Sequence, residues 1–167
     1  MDRLWSPWRH AYITATDPRP AGCVFCLAAD LHQADRSLVV ADGTHAFVIL
    51  NLYPYNSGHL MVVPRRHLDS LGLATADELQ EIMALVRDAE LVLAEVYRPA
   101  GLNVGMNLGR AAGAGIADHL HVHLVPRWDG DTNFVTVIGE TRVLPEALAT
   151  TAGRLRPAFA RLRDARR

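Results

Sequence analysis

The chain has 167 residues, 50% of them hydrophobic, and a formal net charge of −1 at pH 7. This length suits one domain with a full hydrophobic core, so a single domain is expected over residues 1–167. The low net charge provides no broad basic field, which argues against a general nucleic-acid-binding protein. Because no run of about 18 apolar residues and no secretory signal pattern occur, we expect no membrane partner and a cytoplasmic location.

The N-terminal region combines an irregular segment with a cysteine pair. Residues 1–22 contain three prolines and two tryptophans without a clear period, and they are predicted to form an irregular arm. Cys23 and Cys26, the only two cysteines, follow with C-x-x-C spacing. In a reducing compartment this spacing favours a metal over a structural disulfide, and two histidines would complete a tetrahedral zinc site. Two buried cysteines without a metal are the alternative.

Strands and one long helix are predicted next along the chain. Residues 37–41 and 45–50 form a predicted hairpin around the turn Asp42-Gly43, and a third strand over residues 59–63 ends at Pro64. Thr75-Ala-Asp-Glu78 is a capping box that starts a long helix, which ends before Pro99. Its apolar residues recur at helical spacing and are predicted to lie in the core: Leu79, Ile82, Met83, Val86, Ala89, Leu93 and Val96.

A glycine-rich loop over residues 109–115 follows a predicted strand at 103–107. Its glycines permit positive φ and close backbone approach, so consecutive N–H groups can form a concave anion site. The loop has neither the Lys-Ser or Lys-Thr of a Walker loop nor the dinucleotide-binding fingerprint. A plain connection is the alternative interpretation. Further along, a short β-like stretch is predicted at 134–138 and a C-terminal helical segment at 145–167.

Three histidines at alternating positions, His119, His121 and His123, are the most informative feature of the chain. Side chains on a strand alternate between faces, so the three imidazoles are expected on one face, roughly 6–7 Å apart. With a reference pKa near 6.5, imidazole is largely neutral at pH 7 and both attacks electrophiles and moves protons. The pattern therefore predicts a catalytic surface for phosphate chemistry. Strands returning as hairpins predict an α+β fold with an antiparallel sheet.

The run His119-Leu-His-Val-His-Leu-Val-Pro126 resembles the signature of the histidine triad (HIT) superfamily of nucleotidyl hydrolases and transferases. Residues 45–51, 58–64 and the glycine-rich loop follow in the superfamily's order, and residues 51–56, 107–113 and 125–134 resemble its bacterial diadenosine tetraphosphate phosphorylases. The resemblance implies a HIT-like fold, which has a five-stranded antiparallel sheet and one long helix. It also implies a homodimer that joins two sheets edge to edge.

The resemblance also implies roles for particular residues. His121 corresponds to the nucleophile that attacks an α-phosphorus and forms a nucleotidyl-histidine, and His123 to its partner at the phosphate or leaving group. His119 is an orienting residue. The implied nucleotide-binding residues are Asn51 at the ribose, Asn107 near the phosphates, and the backbone of Gly113, Ala114, Gly115 and Ile116 around the α-phosphate. Turn or strand-end residues that satisfy the backbone are the alternative interpretation of Asn51 and Asn107. Separately from the resemblance, Trp128 is a candidate nucleotide-binding residue at the adenine.

Metal ligands and outer contacts complete the expected site. By resemblance, zinc is bound by Cys23, Cys26, His67 and His119, with His59 and His10 as alternatives to His67. Mg²⁺ or Mn²⁺ is a candidate companion of the polyphosphate substrate. Arg110 and Arg127 flank the phosphate path and are candidate ligands for outer phosphates. Phe134, like Trp128, is either a stacking surface for adenine or a packing residue.

The function predicted first is an enzyme that splits diadenosine tetraphosphate with inorganic phosphate, giving ADP and ATP. Hydrolysis of dinucleoside polyphosphates by water and hydrolysis of nucleoside phosphoramidates are alternatives within the same superfamily. A nucleotide sensor or a zinc-organised interaction module is the non-enzymatic alternative, and it predicts binding without turnover.

Overall fold

The computed structural model describes residues 22–30, 38–131 and 146–166. Within them, five strands form one antiparallel sheet in the order β1-β2-β3-β5-β4. The strands are β1 Val39–Asp42, β2 Ala46–Leu50, β3 Leu60–Pro64, β4 Gly101–Gly105 and β5 Val122–Arg127. The helices are α1 Val24–Ala29, α2 Ala76–Tyr97 and α3 Leu148–Asp164, with short 3-10 turns at Leu71–Leu73 and Arg110–Ala112. The predicted five-stranded α+β fold is confirmed.

Helix α2 begins and ends as its sequence signals predict. Thr75 Oγ1 accepts a hydrogen bond from the Glu78 N–H, and the Glu78 carboxylate accepts one from the Thr75 N–H, which completes the capping box. Arg98 caps the other end in the left-handed conformation, directly before Pro99. Of the predicted apolar stripe, Met83 is 60% exposed. The prediction that it lies in the core is wrong, because it is rotated about 100° from buried Ile82 around the helix. No helix in the described ranges is long and apolar enough to cross a bilayer.

The two faces of the sheet pack against different helices. One face is covered by α2 and α3, and its buried residues include Val48, Leu50, Leu60, Val62, Val122 and Leu124. The other face packs against α1 and includes Phe47, Ile49, Met61 and Val63. His123 lies opposite Met61 in the β3–β5 pair, and His59 precedes Met61 by two residues. Since side chains alternate along a strand, both histidines belong to the α1 face.

Some predicted boundaries differ from those observed. The histidine-bearing strand starts at Val122, so the prediction that one strand carries all three histidines is wrong for His119 and His121, which lie in the segment leading into it. Pairing between β3 and β5 ends at Val62 and Val122. Before that point, the Leu120 N–H donates to the Leu68 carbonyl, which lies beyond the end of β3. β4 lies two residues earlier than predicted. Residues 1–21 of the arm and the stretch at 134–138 lie outside the described residues.

Candidate active site

His121 is held in one tautomer by the backbone beside it. Its Nδ1 lies 2.8 Å from the carbonyl oxygen of His119. A carbonyl only accepts hydrogen bonds, so Nδ1 carries the proton and Nε2 keeps its lone pair. The side chain is buried, and burial lowers the pKa of His121 below its ordinary value. His121 is therefore a neutral imidazole with an available nucleophilic nitrogen.

A chain of hydrogen bonds gives His123 the complementary tautomer. The backbone N–H of Tyr55 donates to His59 Nδ1 over 3.1 Å. His59 must then carry its proton on Nε2, which lies 2.9 Å from His123 Nδ1 and donates to it. The remaining nitrogen of His123, Nε2, consequently bears a proton. His123 can donate that proton to a phosphate or leaving-group oxygen.

His121 and His123 form a compact pair of neutral rings. Their centroids lie 4.8 Å apart with an interplanar angle of 78°, closer than two side chains on one strand face. Burial lowers the pKa of His123 to about 4, and the neighbouring His121 contributes in the same direction. The pair thus combines one lone pair and one N–H donor without a positive charge at neutral pH.

Two cysteines and two histidines form a second cluster at the start of α1. One donor atom from each of Cys23, Cys26, His67 and His119 lies within 4.8 Å of the others. His119 Nδ1 is 3.3 Å from the Cys23 sulfur and 3.6 Å from the Cys26 sulfur, and His67 Nδ1 is 3.3 Å from the Cys26 sulfur. Tetrahedral zinc, with bonds of about 2.0 to 2.3 Å, places its ligand atoms about 3.5 Å apart.

The tautomer of His119 also suits a metal ligand. Its Nε2 lies 2.9 Å from the Pro64 carbonyl oxygen and donates to it, so the lone pair is on Nδ1, which faces both sulfurs. Histidine ligands of zinc commonly donate their other N–H to a carbonyl in this way. The donor set and its orientation therefore fit zinc.

His59 has a role that the sequence did not reveal. It was predicted only as an alternative metal ligand, but its ring is bonded to His123 and is not part of the cysteine cluster. The alternative is therefore wrong for His59, whereas His10 lies outside the described residues. The sequence does place His59 on the same strand face as Met61, because the two residues are two positions apart. That His123 lies on this face as well follows only from the β3–β5 pairing.

The glycine-rich loop presents backbone donors. Gly109 and Gly113 adopt φ values of 81° and 89°, which favour glycine. The Gly113 N–H donates to the Arg110 carbonyl within the 3-10 turn. Within the described chain, the N–H groups of Ala114, Gly115 and Ile116 have no hydrogen-bond partner. Three of the four predicted backbone donors are thus available, and Asn107 is exposed at the start of the loop.

The predicted polar residues around the pair already have partners. Asn51 Oδ1 accepts from the Tyr53 N–H, and its Nδ2 lies 3.4 Å from His59 Nδ1, so Asn51 supports the loop between β2 and β3. Arg127 forms a bidentate ion pair with Asp131 and also donates to Asn103. Three of its five N–H groups are engaged by these partners, so Arg127 would have to share or exchange them to bind an outer phosphate.

Two further predicted residues lie after β5 and in the glycine-rich loop. The half-buried Trp128 donates its backbone N–H to the Asp131 carboxylate over 3.2 Å, and Arg110 is exposed in the glycine-rich loop. Phe134 lies outside the described residues.

Comparisons with known proteins identify related sequences and related folds. A model of the HIT domain matches residues 32–130. The chain is 44% identical over 167 aligned residues to the AP-4-A phosphorylase of Mycobacterium tuberculosis H37Rv, covering 96% of this chain and 86% of that protein. A solved structure of a hypothetical histidine triad nucleotide-binding protein from Sulfolobus tokodaii is 28% identical, with a TM-score of 0.69 over 84% of this chain and 94% of that one.

A second solved structure has the same fold. It is a Zn-bound histidine triad family protein from Mycobacterium smegmatis, 24% identical, with a TM-score of 0.69 over 86% of this chain and 97% of that one.

The low pKa of His123 predicts an acid-sensitive fold. An unfolded histidine takes up its proton near pH 6.5 and folded His123 near pH 4, so the unfolded state binds more protons between these values. The free energy of unfolding therefore falls as the pH is lowered from 6.5 to 4. Urea unfolding measured between pH 4 and 6.5 should show that His123→Asn makes the free energy of unfolding less dependent on pH. The reduction in slope is at most about 1.4 kcal/mol per pH unit.

The matched control is His45→Asn, which changes an exposed histidine at the β1–β2 turn. This variant should keep the wild-type slope. A His123→Asn slope as steep as that of the wild type would contradict the assignment.

Proposed function

The chain belongs to the HIT domain family, and on that premise we propose that it is a phosphorylase of dinucleoside polyphosphates that converts diadenosine tetraphosphate and inorganic phosphate to ADP and ATP. The observation that carries the proposal is the pair of complementary tautomers, a lone pair on His121 and an N–H on His123. The 44% identity to a protein named AP-4-A phosphorylase supports the choice of substrate and acceptor.

The first half-reaction uses both histidines. The lone pair of His121 Nε2 attacks an α-phosphorus, a P–N bond forms, and the bond to the α,β-bridging oxygen breaks. His123 Nε2–H donates to that oxygen as ATP leaves. The unpartnered N–H groups of Ala114, Gly115 and Ile116 are suited to the non-bridging oxygens, where charge accumulates in the transition state.

The second half-reaction returns the enzyme to its starting state. An oxygen of inorganic phosphate attacks the phosphorus of the adenylyl-histidine, the P–N bond breaks, and ADP forms, while the attacking phosphate returns a proton to His123 Nε2. His121 regains its lone pair while Nδ1 keeps its hydrogen bond to the His119 carbonyl. A water molecule in place of phosphate would give AMP, which defines the hydrolase alternative.

Product analysis with and without inorganic phosphate tests this proposal. Purified protein with diadenosine tetraphosphate and Mg²⁺ should give ADP and ATP only when phosphate is present. Removing a covalent nucleophile commonly costs at least about 10³-fold in rate, so His121→Ala should lose turnover to that extent. Products are separated and quantified by chromatography.

His45→Ala is the control, because it removes an exposed histidine outside the site. Formation of AMP and ATP without phosphate would replace the phosphorylase by a hydrolase. Substantial turnover by His121→Ala would contradict the nucleotidyl-histidine mechanism. Nucleotide binding without turnover of either this substrate or a phosphoramidate would favour a sensor.

We also propose that Cys23, Cys26, His67 and His119 bind one zinc ion. The metal would cross-link the start of α1 to the segments around β3 and β5, which is a structural role because all four ligands come from the protein. The support is the convergence of the four donor atoms and the His119 Nε2 bond to Pro64.

Metal analysis of variants tests the ligand set. Cys26→Ser and His67→Ala should lower the zinc content well below one per chain and lower the melting temperature by about 5 °C or more, as expected for the loss of a few kcal/mol. His59→Asn is the control, because His59 is bonded to His123 rather than to the cysteines, and it should retain zinc. Zinc loss in His59→Asn but not in His67→Ala would reverse the ligand assignment.

A homodimer through β4 is the remaining part of the proposed assembly. β4 is at the end of the strand order and most of its residues are exposed. Val104 on β4 is 51% exposed and Leu108 just after it is 44% exposed. An exposed edge strand with apolar side chains is a template for pairing with another chain, here a second copy.

Light scattering after size exclusion tests the dimer. Val104→Asp should shift the protein from dimer to monomer, because it places a charge on the pairing edge. Met83→Asp changes a comparably exposed apolar residue on α2 and should remain dimeric. A monomeric wild type, or a dimer unaffected by Val104→Asp, would contradict pairing through β4.

A further inference from the structure

Phe25 contacts both the cysteine–histidine cluster and the nucleophile. It is 3% exposed and lies between Cys23 and Cys26 in the chain. Its ring centroid is 5.4 Å from that of His119, edge to face at 76°, and 5.1 Å from that of His121, tilted at 47°. One aromatic side chain thus links a candidate metal ligand to the candidate nucleophile.

Contacts on both sides of Phe25 fix the short helix that carries it. At the start of α1, Cys23 and Cys26 face His119 and His67. At its end, the Ala29 carbonyl accepts a hydrogen bond of 2.7 Å from the Arg65 guanidinium. The Phe25 ring itself packs among residues of the α1 face of the sheet: Val39, Phe47, Ile49, Met61 and Val63.

His121 needs a support of this kind. Among the described residues its ring has one hydrogen bond, from Nδ1 to the His119 carbonyl, which selects the tautomer but does not by itself hold the ring in one orientation. The Phe25 ring lies against His121 at 5.1 Å, and the His123 ring contacts it at 4.8 Å. These two contacts restrict the tilt and so determine where Nε2 points. A nucleophile displaced by about 1 Å loses up to about 100-fold in rate.

We propose that Phe25 is a positioning residue for His121. The Phe25 ring transmits the position of the Cys23–Cys26 segment to the direction in which the Nε2 atom of His121 points. The expected effect on the reaction rate rests on the proposed function, whereas the state of the His121 ring can be measured without any substrate. Metal binding at the cluster then supports catalysis through Phe25 and the His119 backbone.

Phe25→Leu is the variant that tests the proposal, because it keeps an apolar side chain and loses the flat ring. We expect kcat to fall between about 10-fold and 100-fold while KM stays within about twofold. The zinc content should stay at the wild-type value, since no metal ligand is changed. Phe47→Leu is the matched control: Phe47 is buried in the same cluster, and no ring contact to a histidine occurs for it among the described residues.

The second measurement is nitrogen NMR of the histidine rings in protein labelled with ¹⁵N-histidine, without substrate. Wild type and Phe47→Leu should show His121 protonated on Nδ1. In Phe25→Leu the His121 ring is free to tilt, which weakens the Nδ1–H bond to the His119 carbonyl, so the His121 nitrogen signals should shift toward an average of tautomers. Removal of zinc from the wild type by a chelator should shift them in the same direction.

Unchanged His121 signals and unchanged kcat in Phe25→Leu would overturn the positioning role. A rise in KM alone would also overturn it, because it would make Phe25 a substrate contact. If the wild type does not turn over diadenosine tetraphosphate, the proposed function fails, and the NMR comparison still decides whether Phe25 orients His121.

Discussion

The backbone and side chain of His119 connect the two chemically distinct parts of this structure. Its ring is directed at two cysteine sulfurs by a hydrogen bond from Nε2 to the Pro64 carbonyl. Its own carbonyl accepts the Nδ1–H of His121. A movement of this residue therefore alters the geometry of the cysteine–histidine cluster and the tautomer of His121 together. These contacts lie where the segment before β5 leaves the regular sheet and the Leu120 N–H bonds to the Leu68 carbonyl.

Burial keeps the imidazoles of His121 and His123 neutral, and their hydrogen-bond partners favour the same neutral state. Burial is the main cause of the lowered pKa values of His121 and His123. Among the described residues, the hydrogen-bond partners of these two rings are a backbone carbonyl and another imidazole, and neither is a carboxylate. A carboxylate partner would stabilise an imidazolium, whereas this arrangement favours the neutral ring that a nitrogen nucleophile requires.

Much of the fold was predictable from local patterns, while the details of the site depend on long-range pairing. Alternating apolar residues and the capping box of α2 predict the strands and the helix because their signals are local. The hydrogen bond between His59 and His123 could not be predicted, since it depends on β3 lying beside β5. The contacts of Arg127 could not be predicted either, because its partners Asp131 and Asn103 are brought to it by the turn after β5 and by the pairing of β4.

The hydrogen bonds of Arg127 to Asp131 and Asn103 affect which groups stabilise the phosphate charge in the proposed reaction. With that guanidinium bonded to Asp131, the donors assigned to the proposed reaction are neutral: the N–H groups of the glycine-rich loop and the protonated Nε2 of His123. Neutral donors stabilise a transient charge without holding an anionic nucleotide as tightly as an arginine does. A phosphorylase must release ATP before it accepts inorganic phosphate, so moderate ground-state binding is consistent with both half-reactions using the same backbone donors.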